Sequence, residues 1–151
     1  MANNNFLIIL CVIVTLLLTV VQTTNFSFLG VKPNLALVGL IVSATLINYF
    51  WAFFLLTTIV SLTLKFQPGF DLQILIFLAM SLIIYFLSKR SSWQPFLNIN
   101  IFVLLFTTIF YLLFSPALIV SSIFLKEMIY NIILTNLLLT ILWPKREKIV
   151  I

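Results

Sequence analysis

Long runs of apolar residues, interrupted by few charges, limit how this chain can fold. Of its 151 residues, 64% are hydrophobic and 7% are charged, whereas soluble domains average roughly 45 to 50% apolar and about 25% charged residues. Such a chain cannot build a surface compatible with water, so we expect it to lie in a lipid bilayer. The apolar residues form continuous runs rather than an alternation. Because a backbone in lipid must satisfy its own hydrogen bonds, the sequence predicts an all-α integral membrane protein.

Polar residues and prolines divide the chain into the helices of a single transmembrane domain covering residues 1–151. The first helix is expected to be retained rather than cleaved as a signal peptide, because no basic residue precedes it and no small-residue cleavage site follows it. Prolines at 33 and 95 are placed to begin helices. The predicted spans are roughly 6–21, 35–48, 51–65, 71–88, 95–114 and 122–143.

The number of spans depends on residues 35–64, which are largely apolar. A single helix of 30 residues would be about 45 Å long, against a hydrocarbon core of about 30 Å. We therefore predict two short helices separated at Asn48-Tyr49, which gives a compact bundle of six helices. A bundle of five, with one long helix here, is the alternative.

The charge of +5 is explained better by membrane topology than by nucleic-acid binding, because the basic residues are scattered or lie at the ends of apolar runs. With six spans, Lys89, Arg90 and the basic residues of the tail 145–148 lie on one side, opposite Lys32 and Lys65. The positive-inside rule then places the C-terminus in the cytoplasm. A model with five spans gives the same location for the C-terminus.

The residue inventory argues against an enzyme. The chain has no histidine, one cysteine and three acidic residues, which excludes a histidine-based nucleophilic system and predicts no metal site, no cofactor and no catalytic residues. The acidic pair that remains for general acid and base chemistry would be Asp71 with Glu127.

Lys126 and Glu127 are the most informative ionisable residues, because charges inside a membrane span are costly and usually functional. Glu127 shares a helix face with Tyr130, Asn131 and Thr135, at spacings of three, four and eight residues. This polar stripe could bind a partner helix or a ligand. Alternatively, both charges lie near the headgroups, with Lys126 reaching outward and Glu127 hydrogen-bonded within the bundle.

Gly39 and Ser43 form a pair of small residues four apart that permits two helices to approach closely. Packing within the chain and dimerisation are both compatible with this pair. Asn98 and Asn100, together with Trp93 and Trp143, fit a polar and aromatic belt at one face of the bilayer.

Two stretches carry a resemblance to a known family. Residues 28–35 read FLGVKPNL and include Gly30, Lys32, Pro33 and Asn34, while residues 127–134 read EMIYNIIL, with a Glu followed four residues later by Asn. Both stretches resemble the bacterial rod-shape-determining membrane protein MreD, as do the chain length, the early first helix and the basic tail. One departure is the third span, because residues 49–65 contain no glycine where family members commonly carry several.

The resemblance implies a non-enzymatic subunit of the cell-elongation machinery in the bacterial cytoplasmic membrane. Its partners would be MreC and, through MreC, the MreB filament and the peptidoglycan synthases. The family is also similar in fold to the six-helix substrate-binding components of energy-coupling-factor vitamin transporters, so a small-molecule binding component of a transporter is the alternative function. An ion channel has little support, because no span carries a repeated row of charged or polar residues.

Overall fold

The computed structural model describes residues 2–24, 27, 30–64, 72–91 and 93–143, with side chains in the first helix from residue 5 onward. These residues form six α helices and one 3₁₀ turn, Pro116–Leu118. The helices are α1 (Ala2–Thr23), α2 (Leu35–Leu46), α3 (Phe50–Thr63), α4 (Leu72–Arg90), α5 (Pro95–Phe114) and α6 (Ser122–Leu142).

Four helices in the described part of the chain, α1, α4, α5 and α6, are long and apolar enough to cross a membrane. This is the arrangement of a multi-pass, all-α membrane protein. Helices α2 and α3 are also apolar but have only 12 and 14 residues. At 1.5 Å per residue they extend about 18 and 21 Å, less than the thickness of the hydrocarbon core.

Successive helices run in opposite directions. The end of α1, the start of α2 and the end of α3 meet around one cavity, together with the start of α4, the end of α5 and the start of α6. We call this end of the bundle the cavity end. The opposite end, which we call the tryptophan end, contains Trp51, Trp93 and Trp143, each beside a helix terminus.

The predicted break between the second and third helices lies at residues 47–49 in the structure. Here Tyr85 of α4 donates a hydrogen bond from its hydroxyl to the carbonyl of Asn48 (2.8 Å). The ring of Tyr85 stacks on Phe53 of α3 with centroids 4.9 Å apart. Residues 35–64 are therefore not the continuous helix that a bundle of five would require, and α3 packs through aromatic rings where the resemblance would place glycines.

Helix α2 is the centre of the bundle. Ten consecutive residues, Leu35 to Ala44, are buried, and α2 contacts all five other helices. A helix that is apolar around its whole circumference needs neighbours on every side. Its central position thus follows from its sequence, whereas the other helices keep large exposed apolar side chains, such as Leu17 and Ile133, on their outer faces.

Helices α1 and α2 approach each other closely at Gly39. A Cβ atom on Gly39 would lie 3.0 Å from Cγ2 and 3.3 Å from Cα of Thr15. The hydroxyl of Thr15 is 2.8 Å from that of Ser43. In this structure Gly39 and Ser43 therefore serve packing within the chain.

The C-terminal end of α2 is capped by α4. Ser88 donates to the carbonyl of Ala44 (3.0 Å), and Lys89 Nζ donates to the carbonyl of Thr45 (3.2 Å) and to Asn48 Oδ1 (3.0 Å). These side chains satisfy carbonyls that have no partner within α2. Lys89 thus has a structural role in addition to the topological role predicted for it.

The expected polar belt at the tryptophan end is present only in part. Trp93 is exposed, as a belt residue should be, but Asn98 is buried. Asn98 accepts a hydrogen bond from Ser91 (2.7 Å), and Asn100 bonds with Asn136 of α6. Both asparagines therefore have partners inside the fold, and their place in a belt at the bilayer face stays a prediction.

The contact at Gly39 generates a prediction about stability. Gly39→Ala is expected to lower the free energy of unfolding by about 1 to 3 kcal/mol, because the new methyl group meets Thr15. In a Thr15→Ser background, which removes Cγ2 but keeps the hydroxyl that bonds to Ser43, the same change should cost less than half as much. Thermal unfolding of the four proteins in detergent measures both effects, and equal costs in the two backgrounds would contradict the proposed contact.

The cap at the end of α2 generates a second prediction. Lys89→Met should lower the free energy of unfolding by about 1 kcal/mol, since the hydrogen bonds that it removes are partly exposed to solvent. Arg90→Met removes the same charge from the neighbouring residue and should change it by less than about 0.5 kcal/mol. The two variants are compared by thermal unfolding in the same detergent. Similar losses of stability in both would show that the positive charge, and not the cap on α2, contributes the stability.

Candidate functional site

The two stretches that carry the family resemblance meet at the cavity end. The backbone N–H of Asn34 donates to Oδ1 of Asn131, at 3.1 Å, across 97 residues of sequence. Both side chains are buried, and Asn131 has no exposed surface. Spacing in the sequence gave no reason to pair these two residues.

The contact belongs to a set of caps on the N-terminus of α2. The Asn34 side chain accepts from the N–H of Leu37 (3.1 Å), as an N-cap residue does. Gln22, at the end of α1, accepts from the N–H of Ala36 through Oε1 (2.7 Å). A helix start leaves four N–H groups without partners within the helix, and here side chains from α1 and α6 join the N-cap residue in satisfying such groups.

Gly30 and Pro33 shape the connector that leads into α2. Gly30 has φ +80°, a left-handed conformation that L side chains rarely adopt, and no atom lies within 4 Å of where its Cβ would be. Glycine is therefore required by conformation rather than by space. Pro33 is buried, whereas Lys32 is exposed.

Glu127 is buried and accepts a hydrogen bond from the hydroxyl of Tyr111 on α5. One turn later, the side-chain amide of Asn131 donates to Thr107, also on α5, at 3.5 Å. Thr135, a further turn along, is buried and donates to the carbonyl of Asn131. The stripe of Glu127, Asn131 and Thr135 therefore faces the interior of the bundle.

The remaining residues of the predicted partner-binding set are accessible. Lys126 is exposed, and Tyr130 is partly exposed. Since adjacent helix positions point about 100° apart, Lys126 lies away from the buried face on which Glu127 lies. The structure thus divides the set into an inward stripe and two residues at the surface of α6.

A cavity of about 380 Å³ lies beside Glu127. Its size falls in the lower part of the range of roughly 300 to 1,000 Å³ seen for small-molecule sites. The residues that line it are Gln22, Thr23, Lys32, Pro33, Asn34, Ser61, Leu64, Gln73, Ile74, Phe77, Phe110 and Glu127.

Within the described residues, no three His, Cys, Asp or Glu side chains lie close enough to hold a metal ion. The acidic pair considered from the sequence includes Asp71, which lies outside the described residues. The hydrogen bond from Tyr111 to Glu127 joins α5 to α6.

Three residues of this region were missed from the sequence: Gln22, Ser61 and Tyr111. Gln22 belongs to a run of polar residues, 22–25, which in the sequence indicates only where the first helix ends. Tyr111 is one of many aromatic residues in apolar spans, and Ser61 is one of many hydroxyl residues. Only the position of Gln22, one loop before a buried helix start, could have indicated a cap.

Comparisons of the chain with protein-family models, with curated proteins and with solved structures found no match.

The capping role of Asn131 generates a third prediction. Asn131→Leu should lower the free energy of unfolding by about 1 to 3 kcal/mol, because it leaves the buried N–H of Asn34 without an acceptor. The matched control is the double variant Asn100→Leu, Asn136→Leu, which removes both members of a pair and should cost less than about 1 kcal/mol.

Thermal unfolding in detergent measures both proteins. A stability for Asn131→Leu equal to that of the wild type would mean that the N-terminus of α2 does not need this acceptor.

Proposed function

We propose that this protein is a non-catalytic membrane subunit of the bacterial cell-elongation complex, acting as an adaptor for MreC and the peptidoglycan synthesis machinery. The contact between Asn34 and Asn131 carries the proposal. The two stretches that resemble MreD are distant in sequence, and their contact gives both a common physical purpose, which is to cap a buried helix. A chance likeness of two short stretches would give no reason for them to meet.

The inward position of the stripe changes how the adaptor would act. Asn131 and Thr135 are fully buried, and Glu127 is 8% exposed, so in this structure these side chains hold the bundle together. Docking of a partner would use the accessible residues on the same helix, Lys126 and Tyr130. The buried stripe would then set the position of the surface that the partner contacts.

The proposed setting is the bacterial cytoplasmic membrane with the C-terminus in the cytoplasm. Lys89 and Arg90 lie at the tryptophan end, and α6 also ends there, directly before the basic tail. Lys32 and Lys126 belong to the cavity end. The greater number of basic residues beside the tryptophan end favours a cytoplasmic location for that end under the positive-inside rule.

The docking surface is tested by copurification, which is the fourth prediction. Tagged wild-type protein, coexpressed with MreC from the same organism, should retain MreC through detergent purification. Lys126→Glu should reduce the recovered MreC about tenfold, equivalent to about 1.4 kcal/mol of binding free energy. The matched control is Arg90→Glu, the same charge reversal at the opposite end of the bundle, which should leave recovery unchanged.

Two results would contradict the proposal. One is the absence of MreC from the wild-type purification. The other is normal rod shape in cells from which the gene has been deleted, because loss of an elongation subunit should make the cells round.

The second candidate function is that of a small-molecule binding component of a transporter. The cavity beside Glu127 favours it, since its volume is that of a small-molecule site and its walls include both polar and apolar residues.

A further inference from the structure

The hydroxyl of Ser61 on α3 differs from its neighbours in its hydrogen bonding. Its Oγ is buried and has no hydrogen-bond partner among the described residues, and the residue is 1% exposed. Thr57, Thr58 and Thr63 on the same helix each donate to the carbonyl four residues earlier. Buried polar groups without partners are rare and call for an explanation such as a bound molecule.

Ser61 lines the same cavity as Glu127. The carboxyl group of Glu127 accepts a hydrogen bond from the Tyr111 hydroxyl, and its two oxygens have the capacity to accept more than this one. A serine hydroxyl also accepts hydrogen bonds. The cavity therefore offers two buried oxygen acceptors, contributed by α3 and α6.

The cavity wall has an apolar part and a polar part. Its apolar part comes from α3, α4 and α5, through Leu64, Ile74, Phe77 and Phe110. Its polar part comes mainly from the end of α1, the connector before α2 and the start of α6. A ligand that satisfies both parts has an apolar body and one polar end.

We propose that this cavity binds a small amphiphilic molecule whose polar end, an amine or an alcohol, donates hydrogen bonds to Glu127 and Ser61. Its apolar body packs against Phe77 and Phe110. An anionic polar end has no hydrogen to donate to these two oxygens, so it should bind there more weakly than an amine or an alcohol.

The proposed ligand site depends on the cavity and is independent of the adaptor role. If MreC binding failed, the ligand site would be unaffected, and if ligand binding failed, the adaptor role would be unaffected. A positive result would also show that the chain can bind a small molecule whether or not it takes part in wall synthesis.

Three probes with the same apolar body test the proposal: 4-phenylbutylamine, 4-phenylbutanol and 4-phenylbutyrate. Binding of each to the full-length protein is measured in detergent by the shift of the thermal unfolding midpoint over a range of probe concentrations. The amine and the alcohol should raise the midpoint, and the carboxylate should bind at least about tenfold more weakly.

Two pairs of variants locate the binding. Ile74→Trp places a large side chain in the cavity and should abolish the shift, whereas Leu75→Trp, on the exposed side of the same helix, should keep it. Ser61→Ala should weaken binding about tenfold, the scale of one lost hydrogen bond. Its control, Ser81→Ala, removes a buried hydroxyl that bonds to its own helix outside the cavity and should leave binding unchanged.

The proposal is overturned if none of the probes shifts the midpoint, if the carboxylate binds as well as the amine, or if Ile74→Trp keeps the full shift. Should Ile74→Trp fail to fold, Ser61→Ala against Ser81→Ala decides. Equal probe affinities in those two variants would overturn the site.

Discussion

The hydrogen bonds at the two ends of α2 are the interactions on which the rest of this bundle depends. Helix α2 has 12 residues and lies among five other helices. Its terminal N–H and C=O groups need partners from the protein, because lipid offers none. At the start of α2, Asn34, Gln22 and Asn131 supply acceptors. At its end, Ser88 and Lys89 of α4 supply donors. These contacts help to fix α1, α4 and α6 around the central helix, because a shift of any one of them would break a hydrogen bond to an end of α2.

The same constraint explains why the conspicuous polar residues of α6 point inward. Asn131 reaches the start of α2, and Glu127 one turn earlier bonds to Tyr111 of α5. A polar residue within a span has its lowest free energy inside the bundle, where partners exist, so a stripe of such residues turns its helix face towards the core. The cavity lies beside Glu127 and the start of α2. The capping network and the cavity therefore share a wall, and a molecule bound there would contact residues that hold α2 in place.

The proposed adaptor role and the proposed ligand site use different parts of the molecule. Lys126 is at the surface of α6, while Ser61 is buried on α3. Glu127 follows Lys126 in the sequence and lines the same cavity as Ser61. A ligand that altered the packing of Glu127 would act on the helix that carries the proposed docking residues, which gives a physical route by which the two functions could be linked in one protein.

The sequence by itself determined the helical class, the positions of the helices and the break near Asn48-Tyr49, because these depend on local features: apolar run length, prolines and polar interruptions. It also singled out Gly39, Ser43, Glu127 and Asn131. Which of them meet could not be known, since a spacing of three or four residues defines a helix face but not the partner of that face. Only the tertiary structure decided that Asn131 caps α2, that Asn98 is buried, and that Gln22, Ser61 and Tyr111 belong to the site. Those assignments depend on contacts between helices distant in sequence, and the spacing of residues along one helix does not specify which other helix it meets.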